Sequence, residues 1–463
     1  MSDDVLYTEQ KQYVGLLKNM ITPHFGHTPK ACIITYGCQQ NVSDSERIRG
    51  ILDDIGFEFT EDKASADFII FNTCAVREHA QDRVFGNVGA LKNLKRKNPN
   101  LIVALCGCMA QQESVKEKIK NSFSFVDLLF GTFALYRLPQ NIYKLLKDNH
   151  RVFDIDDSIS DIPEGVPAKR DGTFKGWLPI MYGCNNFCTY CIVPYVRGRE
   201  RSRSVERIVD DAKKLIADGC KDITLLGQNV NSYNYNGTDF PDLLKIINDL
   251  EGDFVLRFMT SHPKDCSDKL ICAVRDCQKV AKHIHLPFQS GSTKILKAMN
   301  RRYTKEQYLS LIKKAYDTIP NLTLTSDIIV GFPGETYEDF LETLDVVKKV
   351  KFLSLFTFIF SPRPGTPAAE MDDPIDKETK GKWFTQLLKV QSDISDEFNK
   401  TLIGKRFRVL CDEVGRQEGY MAGHTSSNIC LEFKGDTSLL GMFLNVEVIQ
   451  TDNDISAIIL EEQ

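Results

Sequence analysis

The sequence predicts an α/β protein in three parts: a doubly wound parallel-sheet domain, a partial (βα) barrel and a small antiparallel β-barrel. Three observations carry this prediction. Between residues 31 and 147 apolar strand-like runs alternate with helix-like stretches, the order that builds a parallel sheet covered on both faces. Between residues 171 and 400 a second alternation follows, with about six strand-helix units, as a complete or partial α/β barrel requires. From residue 401 to 463 short alternating segments separated by glycines replace it, the texture of a compact antiparallel barrel.

Length and composition agree. At 463 residues the chain exceeds what one hydrophobic core serves, and 42% hydrophobic with 26% charged residues excludes a largely disordered or fibrous protein. The longest uncharged apolar stretch, Phe352 to Phe360, falls far short of the roughly 18 residues of a membrane span. MSDDVLYTEQKQYVG is acidic and polar where a secretory signal would be basic and then apolar, so a cytoplasmic protein with no membrane partner is expected. The net charge of −5 does not attract nucleic acid, so any such partner must be held by local basic surface.

Taken in order, residues 1–30 lack a convincing apolar repeat and read as a loosely docked arm. In the first domain CIITYGC closes at Cys38, ADFIIFNTC at Cys74 and LIVALCGC at Cys108. Helix-like stretches follow each, Ser43 to Ile55, Arg77 to Lys95 and Gln111 to Ile119. Ligands gather beyond the carboxyl ends of such strands, so three cysteines distant in sequence should meet at one sheet edge. Residues 148–170, acidic and broken by Pro and Gly, read as a linker. Barrel strands are expected at WLPIMYG, DITLLG, FVLRFM, HIHLPF, LTLTSDIIVGF and FLSLFTFIF, and strands of the last domain at RFRVLCDEV, NICLEFK and MFLNVEVIQ.

The 14 cysteines of a chain in a reducing compartment are better spent on metal or catalysis than on disulfides. GCNNFCTYC spaces Cys184, Cys188 and Cys191 as C-x3-C-x2-C. Three thiolates can hold three irons of a four-iron cube and leave the fourth open to S-adenosylmethionine (SAM). Structural zinc wants four ligands, and no fourth Cys or His stands nearby in sequence. For Cys38, Cys74 and Cys108 the alternative is service as small buried hydrophobes.

These residues carry a resemblance. Cys184, Cys188 and Cys191, with Tyr190 before the last, resemble the radical SAM superfamily. With the three upstream cysteines, YCIVPYVRGRERSR after the motif and a small C-terminal barrel, the chain is similar to the methylthiotransferase family over residues 31–463. LLGQNVNSY (225–233), HLPFQSGS (285–292), MNRRYT (299–304) and FSPRPGTPA (360–368) are most like the members acting on N6-dimethylallyladenosine in tRNA.

The resemblance implies two [4Fe-4S] clusters, one on Cys184, Cys188 and Cys191 and an auxiliary one on Cys38, Cys74 and Cys108. Cys106 competes for the third position because it shares a strand face with Cys108, but Cys108 follows Gly107 as the strand ends. It implies that SAM, reductively cleaved, yields a 5′-deoxyadenosyl radical that takes hydrogen from C2 of prenylated adenosine 37, beside the tRNA anticodon. A sulfur on the auxiliary cluster, methylated by a second SAM, is then delivered there, the difficult chemistry belonging to the cofactors. The same motifs tolerate threonylcarbamoyl-adenosine in tRNA or a ribosomal-protein aspartate as substrate. A reading of another class is a non-catalytic RNA-binding iron-sulfur sensor, which needs a closed four-thiolate cluster. The implied partners are the tRNA anticodon stem-loop, an electron donor such as flavodoxin or ferredoxin and an unidentified sulfur source, acting on a monomer.

For SAM, Gln228 and Asn229 follow the second barrel strand, where much of the superfamily carries an acidic residue near the methionyl amine. Gln289, Ser290 and Ser292 follow the fourth strand, and Asp327 with the run Ile328, Ile329, Val330, Gly331 lies on the fifth, where exposed backbone could pair with adenine. Each loop could instead be turn and capping chemistry, with Ser292 as an N-cap. Arg197, Arg199, Arg201, Arg203 and Arg207 stand against only Glu200 and Glu206, a run that suits RNA phosphates or a solvated face. Lys92, Lys95, Arg96 and Lys97 read as a helix end favouring positive charge. The last domain resembles the TRAM RNA-binding module, with Gly419 and residues 423–428 matching its central turn and His424 where arginine is common. His283 and His285 share a strand face and are expected to be structural. Cys32, Cys220, Cys266, Cys272, Cys277, Cys411 and Cys430 receive no role.

Overall fold

Six parallel strands form the sheet of the first domain in a computed structural model of the chain, which describes residues 3–75, 78–156, 162–170, 172, 174–451 and 454–460. They are β1 (Lys30–Thr35), β2 (Glu58–Phe59), β3 (Phe68–Thr73), β4 (Ile102–Gly107), β5 (Leu128–Phe130) and β6 (Val152–Asp154), in the order β2-β1-β3-β4-β5-β6. The helices are α1 (Asp3–Phe25), α2 (Gln39–Ile55), α3 (Glu78–Ala90), α4 (Lys92–Lys97), α5 (Glu113–Ser122) and α6 (Leu138–Asp148). Along β3 the side chains alternate: Phe68 and Ile70 pack with Ile48, Ile51, Leu52 and Ile142 of α2 and α6, while Ile69 and Phe71 pack with Val84, Val88 and Ile119 of α3 and α5. A strand covered on both faces must be apolar throughout, which is why FIIF and IVAL read as unbroken runs. Strand order reverses around β1, and a doubly wound sheet opens its ligand crevice there, beyond the carboxyl ends of β1 and β3.

Two expectations for this region are corrected. The N-terminal arm is a helix whose Tyr7, Val14, Leu17 and Ile21 are buried in the α2–α6 core. Its apolar stripe is one residue wide, too narrow to stand out among polar neighbours. The linker at 148–170 contributes β6, whose Asp154 accepts from Arg137 Nε at 2.9 Å and Asn141 Nδ2 at 2.9 Å, and Lys169 N–H donates to the Glu46 carbonyl at 2.9 Å. Its residues 157–161, like Arg77 at the start of the second predicted helix, lie outside the described residues.

By its internal contacts the chain divides into two units, one of residues 1–172, 182–185 and 191–203, the other of residues 173–181, 186–190 and 204–463. In the second unit Lys175–Pro179, Asp222–Leu226 and Val255–Phe258 form one parallel sheet, and His283–His285, Thr323–Val330 and Ser354–Ile359 another. A parallel bridge from Leu256 to Val280 joins them into a six-stranded partial barrel. The helices between the strands start at side-chain caps: Ser204, Asp239, Ser267, Thr304 and Thr336 each accept a backbone N–H of the first turn.

The last domain is a closed five-stranded barrel around Val409, Cys411, Leu431, Phe433 and Val446. Its turn at 425–428 is docked under the partial barrel, at the amino ends of the strands. The Thr425 carbonyl accepts from Arg257 Nη2 (3.0 Å), the Ser427 carbonyl from Thr323 Oγ1 (2.5 Å), and Ser427 Oγ donates to the Asn321 carbonyl (2.9 Å). The turn that resembles the centre of the TRAM module is thus held by the partial barrel. No helix among the described residues is long and apolar enough to cross a membrane.

His424, beside that turn, gives the domain a pH dependence. Burial alone would lower its pKa, but Asp412, 2.8 Å from Nδ1, and Cys430 hold it up at about 10. A group whose pKa is raised on folding adds stability that is complete below its ordinary value near 6.5 and disappears as pH rises through about 10. Thermal unfolding followed by circular dichroism is expected to show a midpoint that falls between pH 7 and pH 10, and His424→Gln should flatten that slope.

Candidate metal centre

The carboxyl ends of β1, β3 and β4 are tied together by buried amides and hydroxyls. Asn72 Nδ2 donates to the Asn41 carbonyl (2.8 Å) and Ser45 Oγ (2.9 Å), and Asn41 Nδ2 returns bonds to Asn72 Oδ1 and the Thr73 carbonyl, both at 3.0 Å. Thr73 Oγ1 donates to the Cys106 carbonyl at 2.6 Å. All these polar groups are buried, so each bond left unmade would cost its desolvation. Two glycines let the strand ends close up: a Cβ on Gly37 (φ +142°) would lie 2.8 Å from Cys74 Cβ, and one on Gly107 (φ +90°) would collide with Asn72 Oδ1.

This framework presents Cys38, Cys74 and Cys108. Cys38 is exposed at the start of α2, with its thiol directed to Asn41 Oδ1 at 3.3 Å. Cys74 and Cys108 are buried, and both Cys38 and Cys74 act electrostatically on the Cys108 thiol. Cys106 and Cys108 do not share a face as expected. The left-handed Gly107 breaks the strand alternation, so Cys106 stays in the α2–α6 core while Cys108 packs with Ala75, Ile192 and Val196.

Arg197 completes the surroundings of Cys108. It is 5% exposed at the end of the short helix Val193–Arg197, with Nε 3.1 Å from Cys108 Sγ and Nη2 2.7 Å from Asp44 Oδ2. Burial holds the Cys108 thiol up at about 12 even though the Arg197 charge draws it down. The donor set fits a cluster better than a single ion. One zinc ion would draw its sulfurs to within roughly 4 Å of one another. Among the described residues only Asp412, Glu413 and His424 bring three ligand atoms within 4.8 Å, and there His424 is protonated at neutral pH.

The ends and the middle of the second cysteine motif are each fixed within their own unit. Cys184 N–H donates to the Gly198 carbonyl at 3.1 Å, beside Gly183, where a Cβ would collide with the Arg199 carbonyl. In the middle, Asn300 Nδ2 donates to the Phe187 carbonyl (2.9 Å) and Thr189 Oγ1 to the Ala298 carbonyl (3.0 Å). Buried Arg301 brings Nη1 to 3.7 Å from Cys188 Sγ while Nε donates to Tyr303 Oη at 2.9 Å. Sequence reasoning assigned no role to Arg301, Asn41, Asp44 or Asn72, since a lone polar residue in a motif says nothing of its contacts.

The arginine run is split by burial. Arg197 and Arg203 are corrected from RNA contacts to structural residues: the first is committed to Asp44 and Cys108, the second, 2% exposed, to Glu164, with Nε at 2.6 Å. Arg199 is exposed and Arg201 lies half-buried, 5.0 Å over the Phe133 ring.

The loops expected to hold SAM lie at the carboxyl end of the partial barrel. Asn229 is 1% exposed; its Nδ2 donates to Asp265 (2.9 Å), but among the described residues Oδ1 has no partner, and neither has Oγ of buried Ser261 next to Thr260, whose φ is +67°. Two buried acceptors without donors suit a ligand carrying an amine and hydroxyls. Gln228 is half-buried. Gln289, also left-handed (φ +67°), donates its N–H to the Asp327 carbonyl and accepts from Ile329 N–H, both at 3.0 Å. Gly331 N–H goes to Glu335 Oε2. The N–H groups of Ile329 and Gly331 are thus not open to adenine as expected, because Gln289 extends the ladder and Glu335 caps the strand end. Ser290 is buried, and Ser292 donates to Asp339 Oδ1 (2.7 Å) rather than capping a helix. His283 and His285 share Thr325 Oγ1 at 2.9 and 3.0 Å, and burial, with Arg257 near, lowers His283 to about 3: both are structural.

Known proteins share this architecture. Residues 178–347 match the profile of the radical SAM superfamily, and residues 30–131 that of an uncharacterized protein family, UPF0004. The chain is 50% identical over 444 residues to the tRNA-2-methylthio-N(6)-dimethylallyladenosine synthase of Alkaliphilus oremlandii, covering 95% of this chain and 94% of that protein. The synthase of the same name from Thermoanaerobacter pseudethanolicus is 47% identical, with 97% of each covered. Among solved structures, the radical SAM methyltransferase TsrM from Kitasatospora setae, with cobalamin and a [4Fe-4S] cluster bound, superposes with a TM-score of 0.54 at 14% identity, over 74% of this chain and 77% of that one. That likeness is one of fold.

Proposed function

The chain belongs to the tRNA-2-methylthio-N(6)-dimethylallyladenosine synthase family of radical SAM enzymes, and from that membership we propose how its own residues divide the work. It is a tRNA methylthiotransferase that acts on N6-dimethylallyladenosine 37. Cys184, Cys188 and Cys191 hold the superfamily's [4Fe-4S] cluster, and Cys38, Cys74 and Cys108 a second one. When bound, the clusters and SAM supply the electron, the hydrogen abstraction and the sulfur. The protein orients and shields. Arg301 faces the Cys188 sulfur and Arg197 the Cys108 sulfur, donors that tune a cluster through its ligands. Asn229 and Ser261 offer acceptors to the polar parts of SAM, with Gln228, Gln289, Ser290 and Asp327 completing that wall. Residues 31–147 form the auxiliary-cluster domain, 148–170 connect it to the radical SAM core of 171–400, and 401–463 are a TRAM-like barrel.

The observation that carries this reading is the gathering of three thiols beyond three adjacent strands at the point where sheet order reverses, with Arg197, six residues after Cys191, bonded to one of them. The reading also takes a cytoplasmic location and an electron donor such as flavodoxin or ferredoxin. Mass analysis of nucleosides from tRNA incubated anaerobically with the reconstituted protein, reductant, sulfide and SAM tests it. A gain of one methylthio group on the prenylated base is expected; a gain on threonylcarbamoyl-adenosine instead would overturn the substrate.

RNA contact falls to Arg199 and Arg201. Changing both to glutamine should weaken tRNA binding and reduce the slope of log K against log salt by about one for each phosphate that is no longer neutralised. A filter-binding series with an unchanged slope would return them to the solvated face.

A further inference from the structure

Two large aromatic side chains stand uncovered inside the partial barrel. The last strand, Ser354–Ile359, pairs with Thr323–Val330 so that Phe356 lies opposite Asp327 and Phe358 opposite Ile329. Directly opposed residues project to the same face. That face carries Thr325, which holds His283 and His285, so it is the interior of the barrel. Leu355, adjacent in the strand and opposite in phase, packs the other way into the helix-covered core. Phe356 and Phe358 are nonetheless 49% and 43% exposed. Phe356 is already oriented, edge-on to His285 with ring centroids 5.6 Å apart at 80°.

Exposed aromatics at the ligand end of a barrel mark a binding wall. They lie beyond residues 178–347, the stretch that matches the superfamily profile. Resting on the function proposed above, the occupant is the substrate base: a flat purine carrying a branched five-carbon apolar group at N6. The carboxylate of a threonylcarbamoyl group would lose hydration against two phenyl rings and gain no partner from them. We propose that Phe356 and Phe358 form the wall on which the N6-dimethylallyl adenine packs, and that they make the enzyme prefer prenylated over unmodified tRNA.

The test uses the reconstituted full chain and anticodon stem-loop RNAs bearing N6-dimethylallyladenosine or plain adenosine at the target position. Binding is read anaerobically by fluorescence anisotropy. The wild type should favour the prenylated RNA by about tenfold or more. Phe356→Ala and Phe358→Ala should weaken binding of the prenylated RNA more than that of the unmodified RNA, cutting the preference to about twofold or less, and Phe358→Leu, which keeps apolar bulk, should retain most of it. Both positions are half-exposed, so truncation should leave the fold intact. A preference that survives both alanine variants, or a wild type without one, overturns the proposal. Nucleoside mass analysis of the wild-type reaction separates the two failures. A methylthio product on the prenylated base with the preference unmoved refutes the aromatic wall alone, and no product on that base refutes the function on which it rests.

Discussion

Replacing Cys188 by alanine is expected to abolish 5′-deoxyadenosine formation while tRNA binding persists. Cys188 is 7% exposed, with the buried Arg301 guanidinium 3.7 Å from its sulfur, so its loss leaves both a missing ligand and a buried cation without its neighbour. A cube held by two thiolates loses the arrangement of three bound irons and one open iron on which SAM cleavage depends. Chromatographic assay of 5′-deoxyadenosine under dithionite should fall to the level of protein-free controls. Cleavage retained in this variant would refute the role given to the motif.

The second large effect concerns Cys108. Wild-type protein reconstituted anaerobically should carry about eight irons, and Cys108→Ala about four, with SAM cleavage kept and the methylthio product lost. Cys106→Ala is the sharp control. Cys106 is 1% exposed in the α2–α6 core, so its truncation should cost stability of about 1 kcal/mol and leave the iron count at about eight. Iron lost from Cys106→Ala and kept in Cys108→Ala would reverse the assignment.

Much of the fold was legible because buried parallel strands write themselves as apolar runs; FIIF, IVAL and DITLL each became a strand. β2, β5 and β6, of two or three residues, are too short to show a period, and α1 buries too narrow a stripe to declare itself. At the site, cysteine spacing and strand-end position were readable. What charge does was not. Arg197 and Arg199 are identical in sequence texture, yet Asp44, 153 residues away, takes one into the interior and leaves the other exposed. Sequence proximity cannot report a partner that only folding supplies. The same holds for Phe356 and Phe358, which read as ordinary members of an apolar strand until the edge position of that strand left them bare.

The docking of Thr425 and Ser427 beneath the strands makes the C-terminal barrel a keystone rather than a detachable module. A version of the enzyme cut after residue 400 would leave Arg257 and Thr323 facing water at the base of the catalytic half, and grafting a foreign RNA-binding module there would succeed only if its own turn could replace those two carbonyls.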